Sequence, residues 1–204
     1  MSVLILDCET IDMKYNFICD LAWGIVDRNQ LRTTKNFIVQ EHLAKMAVGG
    51  FSEPKMAATM AEVANGNAVI KPYREIMAEL KADMEQVKYA YAYNASFDRD
   101  KVIKTCQVLQ LSEYTEYFSK AEIFEKWRDL WAWASHTILY KKSFLDFCEV
   151  NELTTPKGFC STSAETCLKY LRNDSTYEEK HTALADVRDE FEIYLAIKKS
   201  MKKE

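Results

Sequence analysis

Three short polar signatures interrupt otherwise apolar stretches of this chain: Asp7-Cys8-Glu9, the run from Asn94 to Asp98, and His181 followed five positions later by Asp186. Chance supplies a D-x-E about once in a chain of this length, since Asp and Glu are each roughly 6% of residues. In a strand, however, residues i and i+2 point to one side, so Asp7 and Glu9 face one way while Cys8 packs on the other. Two carboxylates held together repel unless something positive lies between them, so the pair is either solvated or built around a cation. Asn94 and Asp98 open a helix, which an ordinary cap would also require, with Phe97 in the core. At about 100° per residue, His181 and Asp186 are about 140° apart on a helix, and they converge only if His181 lies just before it begins. Thr182 is a suitable amino-terminal cap for that arrangement. Asp186 then lines up with Ile193 and Ile197, on a face where a carboxylate serving solubility alone is out of place. The competing reading makes His181 a surface loop residue.

The elements that must position these groups follow from periodicity. "SVLILD" is a continuous apolar run, the mark of a strand buried on both faces, and it sets Asp7 and Glu9 at the strand's carboxyl end. "FICDLAWGIVD", the turn "RNQ" and "TTKNFIV" read as two further strands of an antiparallel meander. "PKMAATMAEVANG" is a helix closed by Asn65-Gly66, and a second helix runs from Pro72 to Val87 with Tyr73, Ile76, Met77, Leu80 and Met84 at helical spacing. "VKYAYAYN" returns to a strand, and "FDRDKVIKTCQVL" to a helix with acids in its first turn. Residues 119 to 172 read as mostly helix, including the Trp-rich "EKWRDLWAWAS", with a short strand near 122 to 128 as the alternative. A last helix starts near Thr182. The outcome is α/β: a mixed sheet with helices against it, in which a ligand site belongs at the carboxyl ends of the strands.

Composition bounds the function. With 204 residues, 48% of them hydrophobic, the chain can bury the core of a single domain spanning residues 1 to 204. Its opening, "MSVLILDCET", has no basic segment and meets a charge after six residues, so it reads as neither a signal peptide nor a membrane span, and a cytoplasmic protein with no membrane partner is expected. The six cysteines form no C-x-x-C pair and lie among apolar residues, which points to buried, reduced thiols and against structural zinc. A net charge of −4 argues against coating nucleic acid by bulk electrostatics, while leaving open an enzyme that grips only a strand end.

Together, D-x-E at the end of the first strand, N-x-x-F-D after a middle strand and H-x-x-x-x-D opening the last long helix resemble, in order and spacing, the three motifs of the DEDDh exonucleases. These form the DnaQ-like family, with a ribonuclease H-like fold, which includes proofreading subunits and RNase T. The resemblance covers residues 4 to 195 and implies a ribonuclease H-like mixed β-sheet flanked by helices. It further implies that Asp7, Glu9, Asp98 and Asp186 hold two Mg²⁺ or Mn²⁺ ions, that His181 is the general base, and that Asn94, Thr10, Ile11 and Met13 meet the substrate. Ile11 or Met13 would wedge the terminal base, although "ETIDM" lacks the Thr-Gly pair that often continues the first motif. The implied activity is 3′–5′ hydrolysis of single-stranded DNA, or of RNA, from the 3′ end; a catalytically silent nucleic-acid-binding module is the reading from another class. A homodimer or a polymerase partner follows by analogy only. Oxygen-only ligands suit hard cations, and two such ions activate a water and stabilise the leaving oxygen.

Overall fold

The computed structural model describes residues 2–11, 17–48 and 53–202. The apolar runs form β1 (Val3–Thr10), β2 (Ile18–Asp27), β3 (Gln30–Val39), β4 (Val69–Lys71), β5 (Tyr89–Ala92) and β6 (Trp127–Asp129). They make one six-stranded sheet in the order β4-β3-β2-β1-β5-β6. The first three strands pair antiparallel, as the meander pattern requires, while β4, β5 and β6 join parallel to β3, β1 and β5. Arg28 and Asn29 turn β2 into β3 with φ of 50° and 62°. Positive φ at both positions gives a turn whose twist matches that of the strands.

The helices are α1 (Leu43–Val48), α2 (Glu53–Ala64), α3 (Tyr73–Gln86), α4 (Ala95–Val108), α5 (Ser112–Ser119), α6 (Ala121–Phe124), α7 (Leu130–Ala134), α8 (Lys142–Val150), α9 (Ala164–Arg172) and α10 (Ala183–Met201). They cover both faces of the sheet. Leu4, Leu6 and Cys8 point into one core with the apolar faces of α3 and α4. Val3 and Ile5 point into the other, formed with α7, α9 and α10. This two-sided burial is why the first strand reads as an unbroken apolar run rather than an alternation. Asp7 and Glu9 continue the second series, so both carboxylates lie on the α10 side.

Four features depart from expectation. Trp127–Asp129 is a strand, not helix, because its backbone pairs with Ala90–Ala92 at the edge of the sheet; the strand alternative for this stretch was the better one. β4 is too short for its periodicity to be read. Thr182 precedes α10, but its hydroxyl is buried and does not cap the helix; the Ala183 amide instead donates to Asp20 Oδ2 at 3.2 Å. Cys148 and Cys160 are joined by a disulfide across a Cα separation of 5.9 Å, whereas Cys8, Cys19, Cys106 and Cys167 are the buried thiols expected. The chain after α8 doubles back through a Thr154–Cys160 bridge, a proximity that spacing does not reveal. No described helix is long and apolar enough to cross a membrane.

Candidate active site

The first acidic pair owes its position to a mismatch in strand length. The β1–β5 ladder ends at Ile5 and Tyr91, so on that side Cys8, which still pairs with Leu21 of β2, lies beyond the last β5 partner. Asp98 Oδ1 accepts the Cys8 amide at 3.1 Å, which seats a carboxylate from the first turn of α4, only 2% exposed, beside the end of β1. The chain reaches α4 directly from β5 because Asn94 adopts φ 74°, a left-handed conformation that asparagine tolerates better than most residues. The Asn94 amide donates to Asp129 Oδ1 at 3.3 Å, and its side-chain oxygen accepts from Ser96 at 3.0 Å.

The third block arrives from above the same strand end. Asp186 lies in the first turn of α10, and His181 stands just before the helix, exposed, with φ 53°. Ligand atoms of Glu9, His181 and Asp186 all lie within 4.8 Å of one another. His181 is likewise within that distance of Glu165 and Glu179. On the far side of Glu9, Lys55 Nζ of α2 contacts Oε2 at 2.9 Å.

Burial and crowding of like charge dominate the electrostatics. Enclosure, reinforced by the charges of Asp98, Glu190, Asp186 and Glu9, pushes the Asp7 carboxyl well above the usual range. Burial raises Asp98 to about 7 against the pull of the Cys8 hydrogen bonds. Burial, then Glu179 and Glu9, takes Asp186 to about 8, and burial with Glu165 lifts Glu179 to about 7. Asp7 Oδ2 and Asp186 Oδ1 are buried without any hydrogen-bond donor. Buried carboxylate oxygens without donors are costly unless a cation supplies the missing charge. Every donor is oxygen or imidazole, since the Cys8 side chain packs in the opposite core; this chemistry fits a hard divalent cation.

The remaining expectations divide. Thr10 ends β1, partly buried, at an irregularity in the register with β2. Ile11 is 2% exposed, in a small core with Cys19, Ile38, Met46 and Ala68, so its side chain is turned away from any strand end. Met13 lies outside the described residues. Phe97, which an ordinary cap would have placed in the core, is 37% exposed, with Lys101 Nζ 4.5 Å from its ring centre. Of the buried acids that the sequence did not point to, two bear on the elements of the site. Asp20, raised by burial to about 7, bonds the start of α10, and Glu190 is 3% exposed one turn beyond Asp186. Glu190 shares the helical stripe of Asp186, Ile193 and Ile197, and that stripe was the available signal.

No family model and no curated protein matches this sequence. Solved structures do. A product-bound structure of exonuclease I superposes with a TM-score of 0.63 at 15% identity over 99% of this chain and 44% of that one. A zinc-bound complex of E. coli exonuclease I with single-stranded DNA gives 0.60 at 15% identity, covering 97% and 40%. The complex of that E. coli enzyme with a dA16 oligonucleotide gives 0.60 at 15% identity, covering 99% and 41%. This chain therefore spans less than half the length of the proteins it matches. At such identity the likeness establishes architecture, and the chain has the ribonuclease H-like fold of exonuclease I.

Proposed function

We propose that this protein is a metal-dependent 3′–5′ exonuclease that hydrolyses phosphodiester bonds from the 3′ end of single-stranded nucleic acid, DNA in preference to RNA, and releases nucleoside monophosphates. The observation that carries the reading is the convergence of carboxylates from β1, α4 and α10, with His181, at the carboxyl end of the central strands. The polarity and the products come from the motif resemblance. The preference for DNA draws support from neighbours solved with dA16 and dT13 oligonucleotides.

In this reading Asp7, Glu9, Asp98 and Asp186 hold two Mg²⁺ or Mn²⁺ ions. When bound, such ions supply positive charge to the attacking and leaving oxygens of an in-line displacement at phosphorus. The work of the chain is to orient and to move a proton. His181, at the exposed rim, would accept the proton of the attacking water as its oxygen bonds to phosphorus and the phosphorus–O3′ bond breaks, O3′ taking a proton from solvent. Glu165 and Glu179, within 4.8 Å of the ring, stabilise the imidazolium that forms. Phe97 offers a face on which a base can stack. The net charge of −4 is compatible with a grip confined to the last few phosphates.

The test uses 3′-labelled and 5′-labelled single-stranded DNA and RNA of one sequence, with Mg²⁺, Mn²⁺ or EDTA, beside Asp7→Ala. Metal-dependent shortening from the 3′ end, faster on DNA and absent in the variant, is expected. No cleavage of any strand under any metal would overturn the reading in favour of a binding module, and faster loss of RNA would reverse the substrate assignment.

A further inference from the structure

Glu190 is the most deeply buried acid on α10 and has no place in the motif set. Its residue is 3% exposed. One oxygen has a structural role: Oε1 accepts the Tyr93 amide at 2.7 Å, and Tyr93 immediately precedes the left-handed turn at Asn94 that delivers Asp98. The other oxygen has none, for Oε2 is buried with no hydrogen-bond donor. Its position makes this unusual. Glu190 follows Asp186 by one helical turn on the same face, and like charges at i and i+4 destabilise a helix. The charged groups acting on it, Asp98, Asp186 and Glu179, are all carboxylates, and Asp7 feels its charge in turn. An amide acceptor alone would be served by glutamine, with no buried charge. An acidic oxygen that is buried without a donor and repelled by three sequence-predicted metal ligands is either protonated or, when ionised, compensated by a cation; only the second gives a glutamate an advantage over glutamine here.

We propose that Glu190 is a fifth carboxylate of the divalent-metal centre, a positioning residue whose Oε1 pins the junction of β5 and α4 and whose Oε2 adds the negative charge that strengthens metal binding. The inference rests on the metal centre of the exonuclease reading and deepens it. Acidic partners around metal ligands commonly set affinity by roughly 10–100-fold, and that range is the expected loss here.

Glu190→Gln retains the shape and the acceptor for Tyr93 while removing the charge. Calorimetric titration of the full chain with Mn²⁺, together with its melting temperature in EDTA, separates the outcomes. The Gln variant is expected to melt at or above the wild-type temperature in EDTA and to bind Mn²⁺ about 10–100-fold more weakly. A purely structural Glu190 would instead lower the melting temperature and leave the affinity of the folded protein unchanged, which overturns the proposal. Glu190→Asp, which keeps the charge but withdraws it by one methylene, is read in the same way if the Gln variant does not fold: unchanged affinity again overturns the proposal. Failure of the wild-type chain to bind Mn²⁺ would overturn the metal-centre reading itself; wild-type binding with an unaffected variant overturns only the assignment of Glu190.

Discussion

In the proposed reaction His181 and Asp186, neighbours in sequence, would take different chemical parts. His181 stands outside the helix in a left-handed conformation and is exposed, whereas an oxygen of Asp186 is buried without a donor. The histidine is therefore suited to exchange protons with a water at the rim, and the aspartate to hold a cation. His181→Ala should lower kcat by about 10²–10⁴-fold and leave Mn²⁺ affinity nearly intact; a calorimetric titration beside steady-state kinetics checks both halves. Asp186→Asn should weaken Mn²⁺ binding itself. Because burial and the charges of Glu179 and Glu9 raise Asp186 to about 8, this variant should also raise the melting temperature in EDTA at pH 9, where the wild-type carboxylate is ionised, with little effect at pH 6. Equal melting temperatures of the two proteins at pH 9 would contradict the proposed crowding.

At the level of elements, α10 is held at its start by a side chain from the middle of the sheet. Asp20 is fully buried in β2, opposite Glu9, and accepts the Ala183 amide where the Thr182 hydroxyl does not. Removing that acceptor leaves a buried N–H without a partner, a loss of about 1–3 kcal/mol. Asp20→Ala is thus expected to lose that much stability in urea unfolding, and with it the register of His181 and Asp186. Asp20→Asn retains an oxygen acceptor and should stay within about 1 kcal/mol of the wild type. Equal stability of the Ala variant would mean that helix packing alone positions the third block.

For the whole molecule, the acidic cluster links stability to pH and metal. Burial and mutual repulsion raise Asp98 to about 7 and Asp186 to about 8, and hold Asp7 and Glu190 well above the usual carboxylate range. These values exceed those of an unfolded chain, near 4, so between them the folded state binds more protons than the unfolded one. Stability from these groups is fully present below the unfolded values and is lost as pH rises through about 7 to 8. In EDTA the melting temperature should therefore fall from pH 5 to pH 8. On the proposed reading, Mg²⁺ or Mn²⁺ would bind only the folded, ionised cluster, so the rise in melting temperature caused by saturating metal should be larger at pH 8 than at pH 5. Differential scanning calorimetry at both pH values, with and without metal, checks the sign; a melting temperature in EDTA that climbs over this interval would contradict it.

What the sequence by itself determined was local. Apolar runs and helical spacing located β1, the meander, α3, α4 and α10, because burial of one face or two leaves a periodic trace in neighbouring residues. Those elements carry Asp7, Glu9, Asp98 and Asp186 at their ends, so the order and spacing of the proposed ligands were legible before any contact was known. What only the tertiary structure decided was who meets whom over long separations. Asp98 accepts an amide 90 residues away, Glu190 one at 97 and Asp20 one at 163. The conversion of Trp127–Asp129 into a strand, the burial of Ile11 and the pairing of Cys148 with Cys160 have the same origin. In each case hydrogen bonds or packing supplied by distant elements outweighed a weak local preference, and such partners leave no period in the sequence to read.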